Sequence, residues 1–349
     1  MKTEFKKVPK KKSNNNSELR QNLTSGEWIL FSPARRSKRP VQFSKAVPPI
    51  KKQPKRGCPF ENPKEAGGGV LIASYPNEKS WRIQVVPNKY PVVQVSDEKA
   101  KIKKRGKFSH IEGFGHHELV ITKHHEHNFP KLSLNDANML FGVFKDRYEE
   151  IAKDKNTAYT TIFHNWGPHS GASIYHPHYQ ILSTPVVPPM AERSLSNARI
   201  YRRKHKECVY CLELRLALED GQRVIYEDEL SVAFAPYAAE EPFGFRVMPK
   251  NHTSHFEDAT EYEVNSMVKS LQGALKKLDR KIKHANYNFY LHNTPTKHKD
   301  RYSFYHWHIQ VVPRELKPHL GMTGGFELAT GIQVNPVRPE ESVKMLNSR

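Results

Sequence analysis

Cysteine is scarce in this sequence, with three among 349 residues. Three thiols cannot build a disulfide framework, which excludes the small secreted folds that depend on one. Long apolar runs are missing too. The runs present are short, strand-like pieces such as Leu119-Val120-Ile121, far below the ~20 residues of a membrane helix. No apolar stretch follows the lysines of MKTEFKKVPKKKSNNNSE, so no secretory signal and no membrane partner are expected, and a cytoplasmic protein is the default. Acidic residues are few beside basic ones, 36 against 56, giving a net charge of +20. Such an excess suits solubility or an anionic partner, either phosphorylated small molecules or nucleic acid. Much of it lies in the first 60 residues and in scattered lysines, without one aromatic-interleaved stripe. Nucleic acid is therefore the weaker of the two.

Hydrophobic residues make up 37% of the chain, enough for one large domain or two ordinary ones. Residues 1–18 read as a disordered basic tail and residues 44–57 as a Pro/Lys linker. Strand-like pieces are predicted at 28–31, 81–86, 118–122, 159–164, 179–182, 224–226, 232–235, 245–248, 287–292 and 307–312. Helical patterns run over 134–153 and 259–284, and a weaker one follows Ser170. Ser133 and Asp258 read as the helix starts. Strands mixed with long helices imply an α+β protein.

The chain repeats itself. Val120-Ile121-Thr122-Lys123-His124-His125 resembles Val247-Met248-Pro249-Lys250-Asn251-His252, each followed four residues later by Phe129 or Phe256 and then by a helix. His176-Pro177-His178-Tyr179-Gln180 resembles His306-Trp307-His308-Ile309-Gln310. Ahead of each pair lies Cys58-Pro59-Phe60-Glu61 or Cys208-Val209-Tyr210-Cys211. Three matching elements in one order imply a duplicated unit.

The repeat selects ligands. Cys208, Cys211, His252 and His306 form a Cys2His2 set suited to a closed, structural Zn²⁺ site. The first half offers Cys58, Glu61, His125 and His176, with a carboxylate in place of the second thiolate. That set either binds zinc more weakly or is held by hydrogen bonds alone. His124 and His127 compete with His125, which alone matches His252.

Alternation on a strand puts His176, His178 and Gln180 on one face. A neutral imidazole there can attack phosphorus and hold the group covalently, provided that one ring nitrogen is free and the other donates a hydrogen bond. Gln180 can bind a non-bridging oxygen as charge builds, and the Gly171-Ala172-Ser173 turn can add backbone N–H groups and a hydroxyl. His178 is thus the candidate nucleophile. His308 is read as structural, or as lining the site from the other half.

From Trp28 to the C-terminus the chain resembles the galactose-1-phosphate uridylyltransferase family, a branch of the histidine-triad superfamily. The resemblance lies in His176–Gln180, in the Arg-rich stretch 32–40, in Asn88-Lys89-Tyr90-Pro91, in Asn165-x-Gly167 before Gly171-Ala172-Ser173, and in Gly325-Phe326-Glu327 with Gln333. It implies two tandem histidine-triad-like repeats, antiparallel sheets with packed helices, over 19–195 (with the nucleophile) and 196–349, and commonly a homodimer. The implied reaction is ping-pong. His178 attacks the α-phosphate of UDP-glucose, releases glucose 1-phosphate, and passes the uridylyl group to galactose 1-phosphate. Arg36, Arg39, Asn88, Asn165, Gly171, Ser173 and Gln180 carry over as nucleotide and phosphate contacts, and Glu327 and Gln333 as hexose contacts. Two departures stand out: Glu61 replaces a cysteine, and Tyr179 replaces a small residue, which is expected to narrow the pocket. The second-half zinc set, the stretch 184–189 and Gly331-x-x-x-Asn335-Pro336-Val337 are similar to a plant-type branch that includes ADP-glucose:phosphate adenylyltransferase. A basic nucleic-acid-binding protein without catalysis is the alternative of a different class.

Overall fold

The structure is a computed structural model that describes residues 17–33, 50–314 and 325–348. The basic stretch 1–16, most of the Arg-rich motif with Arg36 and Arg39, and residues 44–49 lie outside the described residues. The first half runs through β1 (Glu18–Gln21), β2 (Trp28–Phe31), β3 (Ala73–Tyr75), β4 (Ile83–Pro87), β5 (Lys103–Arg105), β6 (Phe108–His110), β7 (His117–Thr122), α1 (Leu134–Ala152), β8 (Tyr159–Trp166) and β9 (His178–Thr184). Two helices follow, α2 (Pro189–His205) and α3 (Val209–Asp220). Then come β10 (Val224–Glu227), β11 (Ser231–Phe234), β12 (Phe245–Pro249), α4 (Glu261–Lys281), β13 (Asn286–His292), β14 (His308–Arg314), α5 (Gly325–Thr330), β15 (Gln333–Asn335) and α6 (Pro339–Asn347).

The duplication is visible in the sheet. Ten strands pair in the order β10-β11-β12-β14-β13-β8-β9-β7-β4-β3, which reads the same from either end once the halves are matched. The halves meet where β13 pairs antiparallel with β8, placing Asn288 opposite Asn165. Side chains alternate across this sheet. On one face α1 and α4 bury Leu140, Phe141, Phe144, Met267, Leu271 and Leu275, each with no exposed surface. Burying each such side chain stabilises by ~1.5–3 kcal/mol. Histidines and amides occupy the other face. A second sheet, β1-β2-β15, sets Gln333 beside Ile29 and ties the last part of the chain to the first.

The long helices start where polar side chains satisfy free backbone N–H groups. Ser133 accepts from Asp136 N–H, as expected. The second cap is Thr260 rather than Asp258. Glu263 lies three residues after Thr260 and closes a capping box with it, while Asp258 ends a short 3-10 turn. No α-helix follows Ser170. Gly167 (φ +85°) and Gly171 (φ +88°) bracket a 3-10 turn, Pro168–Ser170, in conformations that a helix cannot use. At Gly167 a side chain would also meet Asn286 Oδ1, 2.1 Å from the Cβ position. Residues 50–57 are no free linker: the Gln53 carbonyl accepts from His125, and its side chain accepts from Tyr175 N–H. Tyr179 does not narrow the pocket. It points to the helix side, fully buried against Phe144 and Phe289. Among the described residues no helix is long and apolar enough to cross a membrane.

Candidate active site

His178 opens β9 in a buried setting, with 7% of its surface exposed. Its Nδ1–H donates to the His176 carbonyl at 3.0 Å, so the lone pair of the neutral ring lies on Nε2. Burial lowers its pKa and favours that neutral form. Phe60 packs edge-on at 4.8 Å. The backbone is pinned from behind, where His164 Nδ1–H donates to the His178 carbonyl at 2.7 Å. Burial pushes the His164 pKa down to about 3, so this ring too is neutral.

Gln180 follows two residues along the same face. The pairs Phe163↔Gln180 and His164↔Tyr179 put Asn165 across from His178. Gln180 Oε1 lies 2.9 Å from His117 Nε2, and Asn88 Nδ2 lies 3.1 Å from the same nitrogen. Gly171 sits close by, its Cβ position 3.9 Å from Asn165 Nδ2. Ser173 is exposed on the loop between Gly171 and His176. Gln333 and Asn165 line one cavity of ≈580 Å³, which runs over the outer face of β8, β13 and β14 and also takes in Arg193, Arg246, Arg314 and His292. Glu327, on α5, does not line it. His178, Gln180, Asn165, Asn88 and Gly171 are therefore brought together, while Glu327 stands apart.

The second half repeats the scaffold but encloses its own histidine. His308 Nδ1–H donates to the His306 carbonyl at 3.0 Å, as His178 does to His176. Yet His308 is only 1% exposed, with His292 stacked on it at 4.7 Å and Tyr210 at 5.1 Å. Where Leu119 pairs with Gln180, Arg246 pairs with Gln310. The Arg246 guanidinium donates to Gln310 Oε1 (3.1 Å), Glu213 (2.6 Å) and Thr24 (3.0 Å). Chain atoms thus take up the polar groups that the first half leaves open.

Two clusters hold metal-type donors. Cys58, Glu61, His125 and His176 form one, and Cys208, Cys211, His252 and His306 the other, with each cluster's ligand atoms within 4.8 Å of one another. His124 and His127 belong to neither: they stack on each other at 4.8 Å. The donor chemistry fits a cation. His125 and His176 give their Nε2 protons to the carbonyls of Gln53 (2.8 Å) and Thr122 (2.7 Å). Their Nδ1 atoms then face Glu61 Oε1 at 2.8 and 3.4 Å, an arrangement satisfied by a cation between them or by a second proton on the ring. His252 likewise donates Nε2–H to the Ser303 carbonyl (2.9 Å) and turns Nδ1 to Cys211 Sγ (3.2 Å). Hydrogen bonding, first from Cys211 and then from His252 and His306, lowers the Cys208 pKa against burial, which raises it.

Sequence reasoning missed His117, His164, Asn288 and Arg246. Each acts across strands, and no local motif marks it.

Residues 6–188 match the galactose-1-phosphate uridyl transferase N-terminal domain family, and residues 217–317 match the HIT domain family. An ADP-glucose phosphorylase of Arabidopsis thaliana is 30% identical over 341 residues, 95% of this chain and 93% of that protein. A galactose-1-phosphate uridylyltransferase of Thermotoga maritima is 28% identical over 332 residues, 94% of this chain and 97% of that protein. Among solved structures, an Arabidopsis thaliana ADP-glucose phosphorylase with bound ADP-glucose matches at a TM-score of 0.77 and 28% identity, over 96% of this chain and 99% of that one.

Proposed function

Because the chain belongs to the galactose-1-phosphate uridylyltransferase family, we propose that it moves a nucleotidyl group from a nucleoside diphosphate hexose to a phosphate acceptor, through a covalent nucleotidyl-histidine at His178. The observation that carries this is the His178 ring: its Nδ1 proton is committed to the His176 carbonyl, and its Nε2 lone pair is left for phosphorus. In the first step the Nε2–P bond forms at the α-phosphorus. The bond from that phosphorus to the bridging oxygen breaks, and its electron pair leaves with hexose 1-phosphate. In the second step an acceptor phosphate oxygen attacks the same phosphorus, and the Nε2–P bond returns its electrons to the ring. Gln180, Asn165 and Asn88 donate to the phosphate oxygens, and the Gly171–Ser173 turn adds backbone N–H groups and a hydroxyl. Arg36 and Arg39 are read as further phosphate contacts, and Gln333 and Glu327 as hexose contacts. Both Cys/His clusters are read as zinc sites. Zinc bound there would fix the segments that carry His125, His176, His252 and His306.

Two substrate pairs fit this chemistry. Our first reading is UDP-glucose with galactose 1-phosphate, supported by the family pattern at Gln180 and Gln333. The second is ADP-glucose with inorganic phosphate, favoured by the relative that is 30% identical over 95% of the chain. Supplying the purified protein with each pair separates them. UDP-galactose as product establishes the first, and ADP with glucose 1-phosphate the second. If neither pair nor any mixture of their members turns over, both readings fail.

A further inference from the structure

An amide side chain beside a phosphate has a right end and a wrong end. Its N–H groups attract the anion and its carbonyl oxygen repels it. Gln180 and Asn165 both face His178, so something must decide which end each presents.

For Gln180 the decision traces back to a backbone amide. Val92 N–H donates to His117 Nδ1 at 3.3 Å. A backbone N–H can only donate, so Nδ1 of a neutral His117 carries no proton and Nε2 carries it. Nε2–H then donates to Gln180 Oε1 at 2.9 Å, and the Gln180 amide nitrogen is left for a ligand. Asn88 joins the same hub. Its Oδ1 accepts from Tyr90 N–H at 3.0 Å, and its Nδ2 lies 3.1 Å from a ring nitrogen that has no lone pair to give.

For Asn165 the decision traces back to a backbone carbonyl. Asn288 Nδ2 lies 2.9 Å from the Ser170 carbonyl oxygen, which can only accept. That fixes which end of the Asn288 amide is the nitrogen. The same Nδ2 donates to Asn165 Oδ1 at 2.7 Å, so Asn165 also presents its nitrogen. Asn288 belongs to β13, in the other half of the chain.

We propose that His117 and Asn288 are positioning residues that hold the amide oxygens of Gln180 and Asn165, so that both amides turn N–H toward the transferred phosphoryl group. The inference rests on the reading of His178 as nucleophile. Removing His117 frees Gln180 to rotate and present oxygen instead. Loss of one such oriented donor typically slows a step by ~10²–10³-fold.

The test is single-turnover formation of the covalent adduct, with UDP-glucose and ADP-glucose as separate probes and no acceptor. In His117→Phe the limiting rate is expected to fall by ~10²-fold or more, while half-saturation and melting temperature stay near wild type. His117→Gln keeps a donor near the place of Nε2 and is expected to recover most of the rate. Asn288→Asp, which cannot donate, is expected to slow the step in the same way. His117→Phe added to Gln180→Ala is expected to cost little more than Gln180→Ala alone, because the two act as one unit. Wild-type rates in His117→Phe, or full additivity with Gln180→Ala, would overturn the inference and leave the nucleophile standing. No adduct in the wild-type protein with either probe overturns the nucleophile and this inference together.

Discussion

His178 and His308 have the same residue type, the same backbone acceptor and the same 3.0 Å bond from Nδ1. What separates them is a few neighbours. Leu119 lines the first site, and Arg246 holds the matching place in the second. Arg246 and Glu213 are 7% and 2% exposed and bonded at 2.6 Å. Arg246→Leu leaves the Glu213 carboxylate buried without its partner and is expected to cost about 3–5 kcal/mol. Arg246→Leu combined with Glu213→Leu is expected to recover most of that. Urea unfolding midpoints measure both, and a single variant as stable as wild type contradicts the assignment. At this scale the proposed nucleophile and the eight residues of the two Cys/His clusters could be picked out, because each belongs to a short motif that occurs twice. Arg246, His117 and Asn288 were not. Their partners lie on neighbouring strands, and an isolated Arg, His or Asn in a strand carries no sign of what it meets.

Among the elements, the strands were the most legible, since alternation of buried and half-buried positions marks β8, β9, β13 and β14 clearly. Helix α2 was missed because its buried stripe is only Ala191, Leu195 and Ala198 in an otherwise basic run. The weak helical pattern after Ser170 forms no helix, because Gly171 takes a left-handed conformation there. The clusters act at this scale too, by joining elements. The second links the start of α3 to residues 252 and 306, and the first links the 58–61 turn to His125 and to His176 just ahead of β9. With two thiolates, the second is expected to hold zinc more tightly than the first, which has one thiolate and a carboxylate. Metal analysis of the purified protein during chelation is expected to show the first cluster emptying before the second. Cys208→Ser is expected to remove one equivalent and lower the melting temperature, because metal binding and folding are coupled. A metal content near zero before chelation contradicts zinc at either cluster.

Over the whole molecule, the repeat that is plain in the motifs becomes one ten-stranded sheet whose strand order is symmetric about the β8–β13 pair. Duplication supplied two equivalent faces. One keeps an imidazole with a free nitrogen beside oriented amides, and in the other His292 and Tyr210 cover His308 while Arg246 holds Gln310 Oε1. The joining pair is also where the second half reaches the first site, through Asn288. The motifs made the duplication and the family pattern readable. The different surroundings of His308 were hidden because they depend on packing between segments as distant as Thr24, Glu213 and Arg246. The central claim is that a single histidine of this sheet carries the nucleotidyl group. The most direct measurement is the intact mass of the protein after incubation with UDP-glucose or ADP-glucose, beside His178→Ala and His308→Ala. One nucleotidyl adduct is expected in the wild-type protein and in His308→Ala, and none in His178→Ala. An adduct that persists in His178→Ala, or one that vanishes only in His308→Ala, would contradict it.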